Sequence, residues 1–247
     1  SISFNPLNWK QISVTGDQSF HIGSIETSNE KYGLKLSTID LPDPTAALGP
    51  VAEQKDIYLK KFVPSPILTA ESVKIASTLS PLHNKYKDKL KKVAPVSHCW
   101  AVGNCVYVGC TDGQLLHYDT TSATMSVLTN PLANSKGSSN TDLKIKEEDE
   151  DDKLDSAQKI LGKGDLETIE YYQDGLFVCG ANGKLRLLSL DTVSPDVLDC
   201  WDTKSVISSL AWSTAYDKIL LGSPNGIVFS LFPSNKNADL NTLFNVK

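Results

Sequence analysis

The sequence predicts an all-β fold of repeated antiparallel units, and three observations predict it. Short alternating apolar runs recur along the chain, several of them are joined by Asp-Gly or Asn-Gly turns, and a glycine closes the second run of each unit, with the last two such glycines one blade period apart. Such a repeat takes precedence over element-by-element reading, because a unit that cannot bury its own apolar faces has to stack on its neighbours. Sheets of this size stacked radially make a β-propeller.

Four units carry the pattern. The first spans about residues 1–30, with Gln11 to Gly16, a turn at Asp17-Gln18, and a following run from Ser19 to Ile25; this turn lacks the glycine of the others. The second, about 95–130, is the clearest: Cys105 to Cys110, a turn through Asp112-Gly113, then Gln114 to Asp119. The third, about 164–203, runs Gly175 to Gly180, turns at Asn182-Gly183 and continues from Lys184. The fourth, about 204–233, runs Lys218 to Ser223, turns at Asn225-Gly226 and continues to Phe232. Glycine at these turns accepts the positive φ that two-residue hairpins demand, and Asp and Asn tolerate it.

The intervals set the blade size. Gly180 and Gly222 stand 42 positions apart, inside the propeller period of roughly 40–45 residues. Gly109 and Gly180 are 71 apart, one blade plus an excess that residues 131–163 account for. That stretch is rich in Ser and Asn and then acidic, from Glu147 to Asp152, and is expected to be a disordered insertion, since it has little apolar surface to bury. Residues 31–95 hold seven prolines and the run Lys85, Lys87, Lys89, Lys91 and Lys92. They are expected to form an irregular insertion or a degraded blade, with a short helix near Ser65 to Ser80. Four units are fewer than most propellers use to close, so the chain is expected to supply part of a larger ring or tandem propeller.

Charge narrows the function. The net charge is −5 and Arg186 is the only arginine, which leaves little material for forked recognition of phosphates or guanine edges. Nucleic acid is therefore not an expected partner, and no apolar run approaches the length that spans a bilayer. The five cysteines (Cys99, Cys105, Cys110, Cys179 and Cys200) form an odd set with no secretory signal ahead of them; free thiols in a reducing compartment are expected. The first residue is not Met and no targeting pattern follows, as in a piece of a longer protein.

No catalytic motif is present: there is no Gly-x-Ser-x-Gly elbow, phosphate-binding glycine loop or His-Glu-x-x-His pair. His98 with Cys99, Cys105 and Cys110 invites a zinc reading, but no Cys-x-x-Cys pair exists and the spacing runs along strands and across a turn. Packing is the better reading for these cysteines. Trp9, Trp100, Trp201 and Trp212 suit packing between blades. The lysine run from Lys85 to Lys92 is a solvated stretch or a contact for an acidic partner. No cofactor or metal is expected.

Tyr118-Asp119 stands where a WD repeat carries Trp-Asp, and Gly109-Cys110-Thr111-Asp112-Gly113 resembles that family's Gly-Ser-x-Asp-Gly turn. The match is degenerate, since no Gly-His opening is present. A more specific resemblance rests on ordered landmarks: Leu7 to Ile12, Ser97-His98-Cys99-Trp100, Tyr107 to Cys110, Asp174 to Gly180, and Asp199-Cys200-Trp201-Asp202. Together they are similar to the large ciliary WD-repeat proteins. That resemblance implies a non-catalytic axonemal scaffold within the tether linking inner-arm dynein heads to the doublet microtubule. The implied partners are a paralogous ciliary WD-repeat protein, the inner-arm dynein heavy chain and the microtubule. Two other readings stand beside it: a cytosolic or nuclear propeller adaptor that recognises a peptide, and an enzyme with a hydrolase or lyase site at the ring's central channel.

Overall fold

The computed structural model describes residues 1–28, 31–44, 46–51, 93–131, 166–173, 175–180, 182–190, 195–213 and 218–232, together with the backbone of 241–245. The acidic run, the helix expected near residues 65–80 and the five lysines from Lys85 to Lys92 lie outside them.

The described residues form four antiparallel meanders. Blade 1 is β1 (Ile2–Asn5), β2 (Asn8–Gly16), β3 (Ser19–Ser28) and β4 (Lys31–Ile39), paired in that order. Blade 2 is β6 (Pro95–Ala101), β7 (Cys105–Cys110), β8 (Leu115–Asp119) and β9 (Thr124–Thr129), with the short β5 (Gly49–Pro50) added beside β9. Blade 3 is β10 (Thr168–Tyr172), β11 (Gly175–Cys179), β12 (Lys184–Ser189) and β13 (Val197–Asp202). Blade 4 is β14 (Ser209–Trp212), β15 (Ile219–Gly222), β16 (Ile227–Leu231) and β17 (Asn241–Asn245).

Two boundaries differ from the sequence reading. Blade 1 does not close near residue 30; Tyr32, Leu34 and Leu36 alternate with polar neighbours, and β4 pairs with β3 from Ser28↔Lys31 to Phe20↔Ile39. Irregular structure begins only where the prolines begin. Blade 4 takes its outermost strand from beyond residue 233, with Ile227 opposite Asn245. The proline-containing segment after β4 is tied to blade 2: Asn130 Nδ2 donates to the carbonyls of Pro44 (3.1 Å) and Ala46 (2.7 Å), and Gln114 Nε2 donates to Pro44 (2.6 Å).

The hairpin turns obey the backbone chemistry of their residues. Gly113, Gly183 and Gly226 have φ of +80°, +69° and +78°, the region closed to most side chains. Asp112 also sits there at φ +61°. Asn182 Oδ1 accepts from Lys184 N at 3.2 Å, so the side chain supports the turn it starts. Gly16 pairs with Ser19, which leaves Asp17-Gln18 as a two-residue loop with no glycine in the left-handed region.

Stacking buries both faces of the middle blades. Val106, Val108 and Cys110 of β7 turn toward blade 1 and join Phe20, Leu116 and Tyr118 in one cluster. Tyr107, between them in sequence, joins Leu115, Leu176 and Val178 in the cluster shared with blade 3. Phe177 and Cys179 turn the other way and meet Ile219, Leu221 and Leu231 of blade 4. Each fully buried Leu or Phe contributes about 1.5–3 kcal/mol over an exposed one, and removing any blade would strip two such clusters or one.

Candidate functional site

The seams between blades hold buried polar and aromatic side chains. At the seam of blades 1 and 2, His98 on β6 is buried, and both ring nitrogens take hydroxyl partners from blade 1: Ser3 Oγ lies 2.8 Å from Nε2 and Thr15 Oγ1 lies 3.1 Å from Nδ1. Ser3 Oγ also meets Ser13 Oγ at 2.9 Å. Asn5 Nδ2 donates to Gln11 Oε1 (2.8 Å) and to Asn104 Oδ1 across the seam (3.1 Å).

A serine beside a histidine is the start of a nucleophile and base pair, but a working pair needs a third group that stabilises the imidazolium. Here the far nitrogen meets Thr15, a neutral hydroxyl. Burial lowers the His98 pKa to about 4. A neutral imidazole takes one partner as donor and one as acceptor, and hydroxyls serve either role. The arrangement joins two blades; it does not activate Ser3.

At the seam of blades 2 and 3, Ser97 Oγ donates to the Leu166 carbonyl at 2.7 Å, and Leu166 N donates to the Cys110 carbonyl at 3.2 Å. Gly109 permits this approach, because a Cβ there would stand 2.7 Å from Ser97 Oγ and 2.9 Å from Leu166 Cβ. Within blade 3, Thr203 Oγ1 donates to the Gly183 carbonyl at 2.7 Å, and at the seam with blade 4 Ser205 Oγ meets Ser223 Oγ at 2.6 Å. Aromatic rings add to the aliphatic cluster there: Tyr172 stacks on Trp212 with centroids 4.8 Å apart, and Phe177 lies 6.1 Å from both Trp201 and Trp212.

The structure separates the residues of the zinc reading. His98 faces blade 1, Cys99 joins the cluster with blade 3, and Cys110 belongs to the cluster with blade 1. Burial raises the pKa of Cys99 and Cys110 and pushes Cys179 up to about 12, so these thiols pack as small hydrophobes. Among the described residues, no group of three or more His, Cys, Asp or Glu is placed to hold a metal ion. Asp119, the counterpart of the WD aspartate, caps the turn after β8: its carboxylate accepts from Thr121 N (2.7 Å) and Ser122 Oγ (2.9 Å), which lowers its pKa. Trp201-Asp202 ends the fourth strand of blade 3.

A groove of about 210 Å³ between blades 1 and 2 is lined by Gln11, Ser24, Lys35, Tyr118 and Thr120 among others, below the usual size of a small-molecule site. Sequence reasoning missed the His98 network, because Ser3 and Thr15 lie more than eighty residues from it and no local spacing joins them. Among the described residues, no helix is long and apolar enough to cross a membrane.

Four meander sheets stacked face to face define the chain as an all-β protein of the WD-repeat-type β-propeller class. Solved propellers share the architecture: the β-propeller domain of Cps50 (Swd1) from Myceliophteria thermophila aligns with 98% of this chain and 59% of its own at a TM-score of 0.57 and 10% identity. A chain of the mitotic checkpoint complex aligns with 99% of this chain and 51% of its own, with a TM-score of 0.50 and 12% identity. No protein-family model matches. In sequence the chain is similar to cilia- and flagella-associated protein 43, at 22% identity over 232 residues of the Xenopus laevis protein and 22% over 235 residues of the Mus musculus protein. These alignments take in 93% and 92% of this chain but only 13% and 12% of the relatives' length.

Proposed function

We propose that this chain is a non-catalytic, protein-binding sector of a ciliary propeller protein. The observation that carries the reading is the likeness to cilia- and flagella-associated protein 43 over nearly the whole chain, together with a fold that offers broad surfaces. The polar groups at the seams serve blade stacking, which leaves interaction as the role best supported by the described residues. Within a cilium or flagellum, the sector belongs to a scaffold on the axoneme, in the tether that links inner-arm dynein heads to the doublet microtubule and regulates motility. Its partners are a paralogous ciliary WD-repeat protein, the dynein heavy chain and the microtubule. The lysines from Lys85 to Lys92 are the contact proposed for an acidic surface, a role that suits tubulin.

The test is localisation of the tagged full-length protein, followed by cross-linking mass spectrometry on isolated axonemes. Retention on detergent-extracted axonemes with cross-links to inner-arm dynein supports the tether. A protein absent from cilia overturns the ciliary reading and returns the chain to the cytosolic or nuclear adaptor class. Ciliary retention without dynein cross-links keeps the scaffold and removes the tether.

A further inference from the structure

The outer strand of blade 1 differs from the outer strands of the other blades. β4 pairs with β3 at nine consecutive positions, from Ser28↔Lys31 to Phe20↔Ile39, without a break in register. The outer pairs of blades 2, 3 and 4 are each interrupted: the register shifts between Leu115 and Leu116, between Leu187 and Leu188, and between Val228 and Phe229. A bulge twists an edge and spoils it as a template, whereas a long regular edge presents an even row of outward N–H and C=O groups. The outer edge of blade 2 is also occupied, since β5 adds to β9 through Gly49↔Val127 and Pro50↔Ser126. Among the described residues, no strand pairs with the outer side of β4.

The side chains of β4 alternate in kind. Tyr32, Leu34 and Leu36 share one face, at 71%, 56% and 50% exposure, and the exposed Lys31 and Lys35 share the other with Gly33 and Ser37. Across the sheet Lys31 meets Ser28 and Lys35 meets Ser24, so neither ammonium has a carboxylate directly opposite; Glu26, opposite Gly33, is diagonal to both. A strand added to this edge draws its affinity from backbone bonds and its selectivity from the two side-chain rows. Apolar residues suit the row of Tyr32, Leu34 and Leu36, and acidic residues suit the row of Lys31 and Lys35.

We propose that the outer edge of β4 binds, by strand addition, an extended segment of a partner protein in which apolar and acidic residues alternate. The lysines decide against a second copy of the chain as the occupant. Paired antiparallel with itself, β4 sets its lysine row against the same row of the other copy, and like charges across a pair are destabilising. The edge points along the sheet, away from both faces of the blade, so strand addition is independent of what stacks on blade 1 and of where in the cell the protein resides.

Hydrogen exchange of the backbone amides of residues 31–39 in the full-length protein tests this, with a peptide of alternating glutamate and valine, nine residues long like β4, as the probe. At saturating peptide the outward amides of β4 are expected to exchange roughly tenfold more slowly, with no such change in the interrupted edge strand β13. The same peptide N-methylated at alternate residues cannot complete the ladder and is expected to give no protection. A valine and lysine peptide should bind more weakly, and in Lys31→Glu/Lys35→Glu, whose substituted side chains are exposed, the preference between the two peptides should reverse. No protection by the glutamate and valine peptide overturns the proposal, as does equal protection by the N-methylated or the lysine peptide, or an unchanged preference in the double variant. Protection that needs no peptide and is lost on dilution also overturns it, because that assigns the edge to a second copy.

Discussion

The seam between blades 1 and 2 and the seam between blades 3 and 4 solve the same packing problem with different chemistry. The first places a buried histidine between two hydroxyls from the neighbouring blade and adds an Asn5 to Asn104 bond. The second gathers Tyr172, Phe177, Trp201 and Trp212 into mutual contact. Directional bonds fix how one blade sits against the next, and losing a partner leaves a buried polar group unpaired. An aromatic cluster supplies area and edge-to-face or stacked contacts with no such demand. Acidity and hydroxyl loss should therefore weaken the first seam, and truncation of side-chain volume the second.

Truncating Phe177 should break the aromatic seam and give the largest loss. Its side chain is fully buried and touches three other rings, so Phe177→Ala is expected to lower unfolding free energy by about 3–5 kcal/mol. Urea unfolding at pH 7 measures this. A loss below about 1 kcal/mol, the cost of a tolerated core change, would mean that the cluster is loosely packed and that the contrast between seams is wrong.

Acidification should act on the histidine seam. Folded His98 titrates near 4, while an exposed histidine titrates near 6.5. Above pH 6.5 both folded and unfolded states hold it neutral, and its contribution is complete. As pH falls toward 4 the unfolded chain takes the proton first, so stability drops, by up to about 3 kcal/mol across that window. Burial lowers the pKa of His117 as well, so the diagnostic quantity is the difference between the parent and His98→Gln. The variant should lose part of the slope between pH 7 and pH 4.5; an unchanged slope would remove His98 as the acid-sensitive group. Asp119 does not confuse this window, because its lowered pKa confines its loss to pH below the usual carboxylate value.

The middle seam sharpens the comparison, since it joins blades by a close backbone approach. Gly109→Ala would drive a methyl into Ser97 Oγ and Leu166 Cβ and disturb the 2.7 Å Ser97 bond. A loss of about 1–3 kcal/mol is expected, the range for overpacking. Thermal unfolding of the variant checks it. A neutral result would show that the blades can slide apart at this seam.

What the sequence made legible follows the same division. Turn chemistry was readable at Asn182-Gly183 and Asn225-Gly226, because the residue types carry their backbone demand locally. The glycine interval set the blade size for the same reason. Strand faces were not readable, since a middle blade buries both sides and Val106, Tyr107 and Val108 look alike in pattern while packing in opposite directions. β4 was hidden because its apolar residues lie next to a proline-rich stretch and have no glycine turn ahead of them. β17, Asn241–Asn245, begins and ends in asparagine, a weak strand former. The seam around His98 depends on residues brought together only by stacking, so it emerged from the fold alone.

The smallest expected effect concerns the turns, whose demand is set by their own backbone rather than by the side chains that distinguish the seams. Gly226 has φ +78°, and its N–H donates to the Ser223 carbonyl at 3.0 Å. Gly226→Ala keeps that donor but forces an L side chain into the left-handed region, at a cost of about 1 kcal/mol. Gly183→Ala should cost more, because at φ +69° its Cβ would also come within 3.2 Å of Ser205 N and 3.3 Å of Ser205 O. Paired urea titrations of the two variants give the ordering. A larger loss for Gly226→Ala than for Gly183→Ala would show that local backbone preference outweighs contact with the following loop, and that the turn of blade 3 is freer than its neighbours imply.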